Sequence, residues 1–517
     1  MRKIAVLMLP AFIFLSISVP SFAETSAAWG KLTPGPHAVG FQIMFRRDPS
    51  RPYKPKRDYQ GNPIAGDRSR PVQISIWYPT TSGGTATQVA FQDYIYQTAS
   101  EESGAEPTEA QKQNAFTAFK NQWARQASDD NIRSALATKT MAWRDAVPSK
   151  TQFPLVLIAP SSRLSSPVGI ALLAEYLASH GYVVASSPGM GLNSRQISFN
   201  SVGTITQMQD MQFILATLRS FPAVDPDKLA VIGFSFGGLA GSLLSMYNGD
   251  VDAFVSLETA AANNYGYSVL FQNPLYDPSL LRVPVLHFTA QELNEASNDS
   301  FLRAIKYAPL TQIKLKGMTP GDFSSFGMIV PMIPVPQPAE GEPRADNRSG
   351  YETICRYTAQ FLNARVKKDP QADAFLKQSP EQNGLPAGVA ILETRPGLKI
   401  PPSEEEFVKI LREKGLPAAA AIHKETRDKD PDYDIYEPDT LVAIASEYSE
   451  QKKTKEAIDL LTFNAEVYPN DSGTYELLGT IYMNEGKKDL AIEHFEKVLE
   501  FDPANQNAAE MLKKLKS

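Results

Sequence analysis

Cysteine is nearly missing from this chain, with Cys355 alone in 517 residues. That excludes an intramolecular disulfide framework and any cysteine-built zinc or iron–sulfur site. Histidine is scarce as well. Its five occurrences (His37, His180, His287, His423, His494) leave a very short list for imidazole chemistry. There is no basic stripe, and a formal charge of −6 argues against a nucleic-acid partner. The long apolar run lies at the start, from Ile4 to Val19.

That run follows Arg2 and Lys3 and precedes Ser21-Phe22-Ala23. A positive stretch, an apolar stretch and a small-x-small site predict an export signal over residues 1–23, with Glu24 opening the mature chain. The run contains Pro10 and falls short of the ~20 residues of a spanning helix. The expectation is therefore a soluble periplasmic or secreted protein with no transmembrane segment once the signal is removed. In an oxidising compartment a lone thiol is safest buried, so Cys355 is assigned no chemistry.

What remains is globular in composition, at 43% hydrophobic and 21% charged residues, and long enough for two to three folding units. Loss of Arg2 and Lys3 takes the charge to −8. Residues 403–517 hold 25 acidic and 15 basic side chains, a net of −10, which leaves about +2 elsewhere. Such asymmetry predicts two domains. The segment 380–402, punctuated by Pro380, Pro386, Pro396, Pro401 and Pro402, reads as a linker between a domain over 24–379 and one over 403–517.

Between Pro154 and Leu315, short apolar runs alternate with amphipathic ones. Leu155–Ala159, Val183–Ser186, Leu229–Phe234, Ala253–Leu257, Val283–Thr289 and Gln312–Leu315 read as strands buried on both faces. Val168–His180, Thr204–Ser220 and Gly238–Tyr247 have helical length and spacing. This alternation predicts an α/β fold, a doubly wound and mostly parallel sheet. Val39–Arg46 and Pro71–Tyr78 fit a strand pair extending one side of it, and residues 85–150 read as a polar, largely helical insertion.

The C-terminal zone repeats at 34 residues: Tyr448 with Tyr482, Ala457 with Ala491, Ile458 with Ile492, Pro469 with Pro503. This is the tetratricopeptide signature, an all-α repeat domain. Segments 404–414 and 416–427 fit an earlier helix pair and 505–516 a closing helix. Stacked repeats leave a concave groove that either grips a protein or peptide partner or docks on the chain's own larger domain.

The stretch Leu229-Ala-Val-Ile-Gly233-Phe234-Ser235-Phe236-Gly237-Gly238 is G-x-S-x-G between a buried strand and a helix, the context of a nucleophile elbow. Glycines permit the tight turn that exposes the serine hydroxyl, and the helix start offers free N–H groups to the same spot. With Phe153-Pro-Leu-Val-Leu, Leu177-Ala-Ser-His-Gly-Tyr182, Gly35-Pro-His-Ala-Val-Gly40 and Ile76-Trp-Tyr-Pro79, the region 34–365 resembles the platelet-activating-factor acetylhydrolase and dienelactone hydrolase branch of the α/β-hydrolases. The C-terminal zone resembles the tetratricopeptide tails of some bacterial esterases.

The resemblance implies a carboxylic-ester hydrolase acting on a small or lipid-like ester, with no metal and no organic cofactor. Ser235 matches the nucleophile. Glu258, 23 residues on, falls where the branch places its acid; Glu292 or Glu295, after the next strand, is the alternative. The Phe236 and Ser162 N–H groups would form the oxyanion hole. His180 falls at a helix end, in a structural role, and His287 inside a buried strand.

One position departs from the pattern. The branch carries its histidine within G-x-x-H-x-x-F after the last inner strand. Here Gly317-Met-Thr-Pro320-Gly-Asp-Phe323 has proline there. Proline carries no proton, and loss of a triad histidine costs on the order of 10⁶ in turnover. Three expectations stay open: a serine hydrolase rescued by His287 or Asp322 as base, a non-catalytic hydrolase fold that binds a ligand, or an adaptor acting through its repeats.

Overall fold

The computed structural model describes residues 26–58, 60–81, 83–162, 166–290, 297–335 and 347–517. The expected export signal lies outside them, as do Glu292 and Glu295. No helix among the described residues is long and apolar enough to cross a membrane. The chain divides into two compact units at Gly397/Leu398.

The first unit is built on one sheet of eleven strands. They are β1 (Ala38–Pro52), β2 (Ser69–Thr80), β3 (Thr87–Ala90), β4 (Lys139–Arg144), β5 (Phe153–Ala159), β6 (Val183–Ser186), β7 (Val224–Phe234), β8 (Val251–Leu257), β9 (Val285–Ala290), β10 (Leu310–Leu315) and β11 (Ala390–Arg395). Their order is β11-β10-β9-β8-β7-β5-β6-β2-β1-β4-β3. From β6 through β10 every pairing is parallel, while β2 runs antiparallel to β6 and β11 antiparallel to β10.

Period-two alternation within apolar strands sends side chains to two separate cores. Val156, Ile158, Ala230, Ile232 and Val255 pack with helices Ala171–Ser179 and Arg348–Arg365. Leu155, Leu157, Val231, Phe254 and Val285 pack with helices Ser201–Leu218 and Gly237–Tyr247. The helix after β5 thus covers one face and the helix after β7 the other. That makes the gap between these neighbouring strand ends a topological switch point, where α/β sheets bind their ligands.

Two expectations need correction. The 85–150 insertion does supply helices (Phe91–Gln97, Glu109–Trp123, Asp129–Leu136), but its flanks form β3 and β4, which extend the sheet past β1. The proline-rich stretch 380–402 is not a free linker. Its residues Ala390–Arg395 alternate well enough to pair with β10 as β11, and the prolines bracket that strand instead of interrupting it. Glu175, fully buried, ties the insertion down by accepting from Trp29 Nε1 (3.0 Å), Tyr94 OH (2.6 Å) and the Met141 N–H (3.0 Å).

The second unit is helical throughout. Helices Pro438–Glu450 and Thr454–Val467 are followed 34 residues later by Ser472–Asn484 and Lys488–Phe501. A pair at Glu404–Lys414 and Leu416–Lys429 precedes them, and Gln506–Lys516 closes the array. Gly479 lets two helices cross: a Cβ there would lie 3.0 Å from the Phe495 ring. Each repeat turns through a positive φ at the same register position, Lys452 (61°) and Gly486 (72°).

Candidate active site

β7 ends at Phe234 and the next helix begins at Gly237, so the corner must be made in two residues. Ser235 takes φ 52°, the left-handed region that costs a non-glycine residue about 1–2 kcal/mol. Its N–H donates to Leu257 O (2.9 Å), and its carbonyl accepts from the Gly238 and Ala260 N–H groups (3.0 and 2.9 Å). Three backbone bonds therefore hold the strained residue, leaving its side chain half-buried. The flanking glycines are needed for space. A Cβ at Gly233 would lie 2.5 Å from the Gly238 Cα, and one at Gly237 only 2.2 Å from Ala159 O. Gly237 thus lets the end of β5 close on the elbow. Among the described residues, neither the Phe236 nor the Ser162 N–H donates a backbone hydrogen bond.

Glu258 follows β8 with φ 43°, a second strained residue beside the first. Its N–H donates to Phe288 O and its Oε2 accepts from the Ala290 N–H, both at 2.9 Å. Burial pushes its carboxyl above the usual range, while the Ala290 N–H and the Thr289 hydroxyl pull it back. Ser235, Glu258 and Ala290 stand at the ends of three adjacent parallel strands.

The two substitute bases are both engaged elsewhere. His287 is 1% exposed, with Nδ1 3.1 Å from Ser256 Oγ and Nε2 without a partner. It shares the face of Phe254 and Val285, under the helices, and burial lowers it to about 4. Asp322 is buried as the cap of its own turn, accepting from the Thr319 N–H (2.8 Å), Thr319 Oγ1 (2.7 Å) and Asn347 Nδ2 (2.9 Å). Pro320 is exposed at the first position of the turn Pro320–Phe323, where its missing N–H costs nothing. The other histidine pair of this unit lies at the opposite strand ends. His180 caps helix Ala171–Ser179, as expected, and His37 packs on Phe153 at the start of β5. Among the described residues no side chain hydrogen-bonds to the Ser235 hydroxyl. Cys355 is fully buried, and its thiol is pushed well above the ordinary value.

Sequence reasoning missed two aromatic contacts, one at the 320–323 turn and one at the elbow. Trp123, from the insertion, lies 3.2 Å from where a Cβ at Gly321 would stand and 4.8 Å from the Phe326 ring. Phe199, after β6, packs 4.6 Å from Phe236 and 5.1 Å from Tyr265. Neither has a sequence signal beyond its aromatic type: Trp123 ends a helix of the insertion, and Phe199 lies in the loop after β6.

The tetratricopeptide repeat family matches residues 472–505. No curated protein matches the chain. Of solved structures, a ferulic acid esterase from Streptomyces cinnamoneus aligns over 68% of this chain and 96% of its own, at 18% identity and a TM-score of 0.44. By its own topology and corner geometry, the chain joins an α/β-hydrolase fold to an all-α tetratricopeptide domain.

Proposed function

We propose that the protein is an exported member of the serine-hydrolase fold that binds a carboxylic ester at Ser235 and turns it over slowly. The observation that carries the reading is the pairing of a retained, strained Ser235 with Pro320 where the proton carrier belongs. Strain at an elbow persists when the surroundings over-determine it, and it clusters at functional sites. Ser235 would approach the acyl carbon while the Phe236 and Ser162 N–H groups receive the oxyanion. Without a base, the hydroxyl proton has no efficient route to the leaving group, and the residual ~10³–10⁴ over water comes from the oxyanion hole and binding. Glu258 would bias the site electrostatically instead of orienting an imidazole. The ester is small or lipid-like, in keeping with the acetylhydrolase and dienelactone hydrolase branch.

A fluorophosphonate probe should label the mature protein slowly, at Ser235 alone, and alkyl esters should protect it. Absence of labelling at millimolar probe, with Ser235→Ala indistinguishable from wild type, would contradict the reading.

A second reading rests on the repeat match at 472–505. The repeat unit would hold a protein or peptide partner. Capture of the same partner by residues 398–517 and by the full chain supports it; loss of the partner on deleting only residues 1–397 defeats it.

A further inference from the structure

The insertion carries a buried carboxylate that the chemistry above does not use. Glu101 is 2% exposed although it carries a charge-bearing group. Its Oε2 pairs with Arg195 Nη2, the Ser166 hydroxyl faces the carboxylate, and its Oε1 is buried without a partner. These two partners belong to different strand ends. Ser166 caps the helical turn Pro167–Ile170 after β5 through the Val168 N–H, and Arg195 lies in the segment 187–200 after β6.

That segment reaches the elbow through Phe199. Arg70, fully buried, holds its near end by donating to Gly191 O (2.7 Å) and Met190 O (3.1 Å). Phe199, at its far end, packs on Phe236, the residue proposed as first oxyanion donor. Between these anchors the Glu101–Arg195 pair is the tie to the insertion and to the turn after β5. We infer that Glu101 is a positioning residue that fastens the 187–200 segment to the Pro167–Ile170 turn and so sets the surroundings of Ser235. This rests on the ester-site reading for its consequence, though not for its geometry.

The charged and titratable groups facing Glu101 are Arg195 from the 187–200 segment and Glu102 from the insertion. Tyr53, after β1, donates to Glu102 and lies under the Arg70 guanidinium. Burial pushes Glu101 up to about 7, against the pull of Arg195 and Ser166. The carboxylate is thus charged and paired above neutrality and protonated below it, with no histidine involved. The tie tightens as pH rises through that point.

Hydrogen exchange of the full chain, corrected for intrinsic rates, tests this between pH 5.5 and 8.5. In wild type, protection of 187–200 and 166–170 should rise about tenfold through neutrality, a local effect that leaves helix Arg348–Arg365 unchanged. Glu101→Gln should remove the step in both segments, Arg195→Met should do the same, and Arg195→Lys should keep it. The step surviving in Glu101→Gln, or spreading equally to Arg348–Arg365, overturns the inference. Fluorophosphonate labelling of Ser235 should follow the same step. If the probe fails to react while the exchange step persists, the ester-site reading fails and the tie stands.

Discussion

The Ala290 N–H donates to Glu258 Oε2 at 2.9 Å, so the acid at the end of β8 is fixed by the strand end beside it and not by an imidazole. In a working triad, replacing the acid by its amide costs about 10⁴ in turnover because the histidine loses its orientation. Among the described residues no histidine hydrogen-bonds to Glu258. Glu258→Gln should therefore slow fluorophosphonate labelling of the wild-type chain by less than about tenfold. In a Pro320→His background the same change should cost about 10³ or more. Equal losses in both backgrounds would show that Glu258 acts without any partner at position 320.

Gly237 lets β5 and the elbow helix touch. A methyl group there would lie 2.2 Å from Ala159 O and 2.6 Å from Pro160 O, both backbone atoms that cannot swing aside. Gly237→Ala should destabilise the first unit by about 1–3 kcal/mol, as overpacked cores do, and lower the melting temperature by several degrees. An unchanged melting temperature would mean that the two segments are looser than this spacing implies.

His287 gives the first unit a defined acid weakness. Its folded pKa, about 4, lies below the ordinary 6.5 because the buried ring resists charging. The unfolded chain then binds more protons between those values, so stability falls as pH drops from 6.5 toward 4. The loss from this group amounts to about 3 kcal/mol at the acid end. His287→Phe should flatten this limb in urea titrations at pH 4.5 and 7, whatever it does to absolute stability. The same slope in the variant would assign the acid limb to other groups.

The two repeats make the same turn with different residues. Lys452 pays for a left-handed backbone that Gly486 adopts freely. Lys452→Gly should stabilise the second unit by about 1 kcal/mol, measured by thermal or denaturant unfolding. Destabilisation would mean that the Lys452 side chain makes contacts that outweigh its backbone strain.

Most of the first unit was legible because its strands are buried on both faces. The runs Val183–Ser186 and Ala253–Leu257 need no context to be recognised as strands, and observed β6 and β8 fall on them. The elbow was legible because its glycines answer to local sterics. The same locality explains the 34-residue repeat, whose small residues mark helix crossings. Strands β3, β4 and β11 were not legible. They are short, partly exposed strands at or next to the sheet's edges, and their pairing depends on neighbours distant in sequence. Glu101 escaped for the same reason: its partners Arg195 and Ser166 are brought to it by the fold, and no spacing announces a carboxylate sealed from water. At position 320 the sequence was informative through a residue it lacks, while the bonds that His287 and Asp322 make were set by the fold.

We propose that Ser235 stands in a competent corner deprived of its proton carrier. That proposal is tested most directly by the turnover of an activated ester by wild type, Pro320→His and the Ser235→Ala double variant. Pro320 is exposed and donates no hydrogen bond, so histidine can replace it without disturbing the turn. The account predicts that Pro320→His raises kcat by about 10²-fold or more and that Ser235→Ala abolishes the gain. Brisk, Ser235-dependent turnover by the wild-type chain, unimproved by Pro320→His, would contradict it.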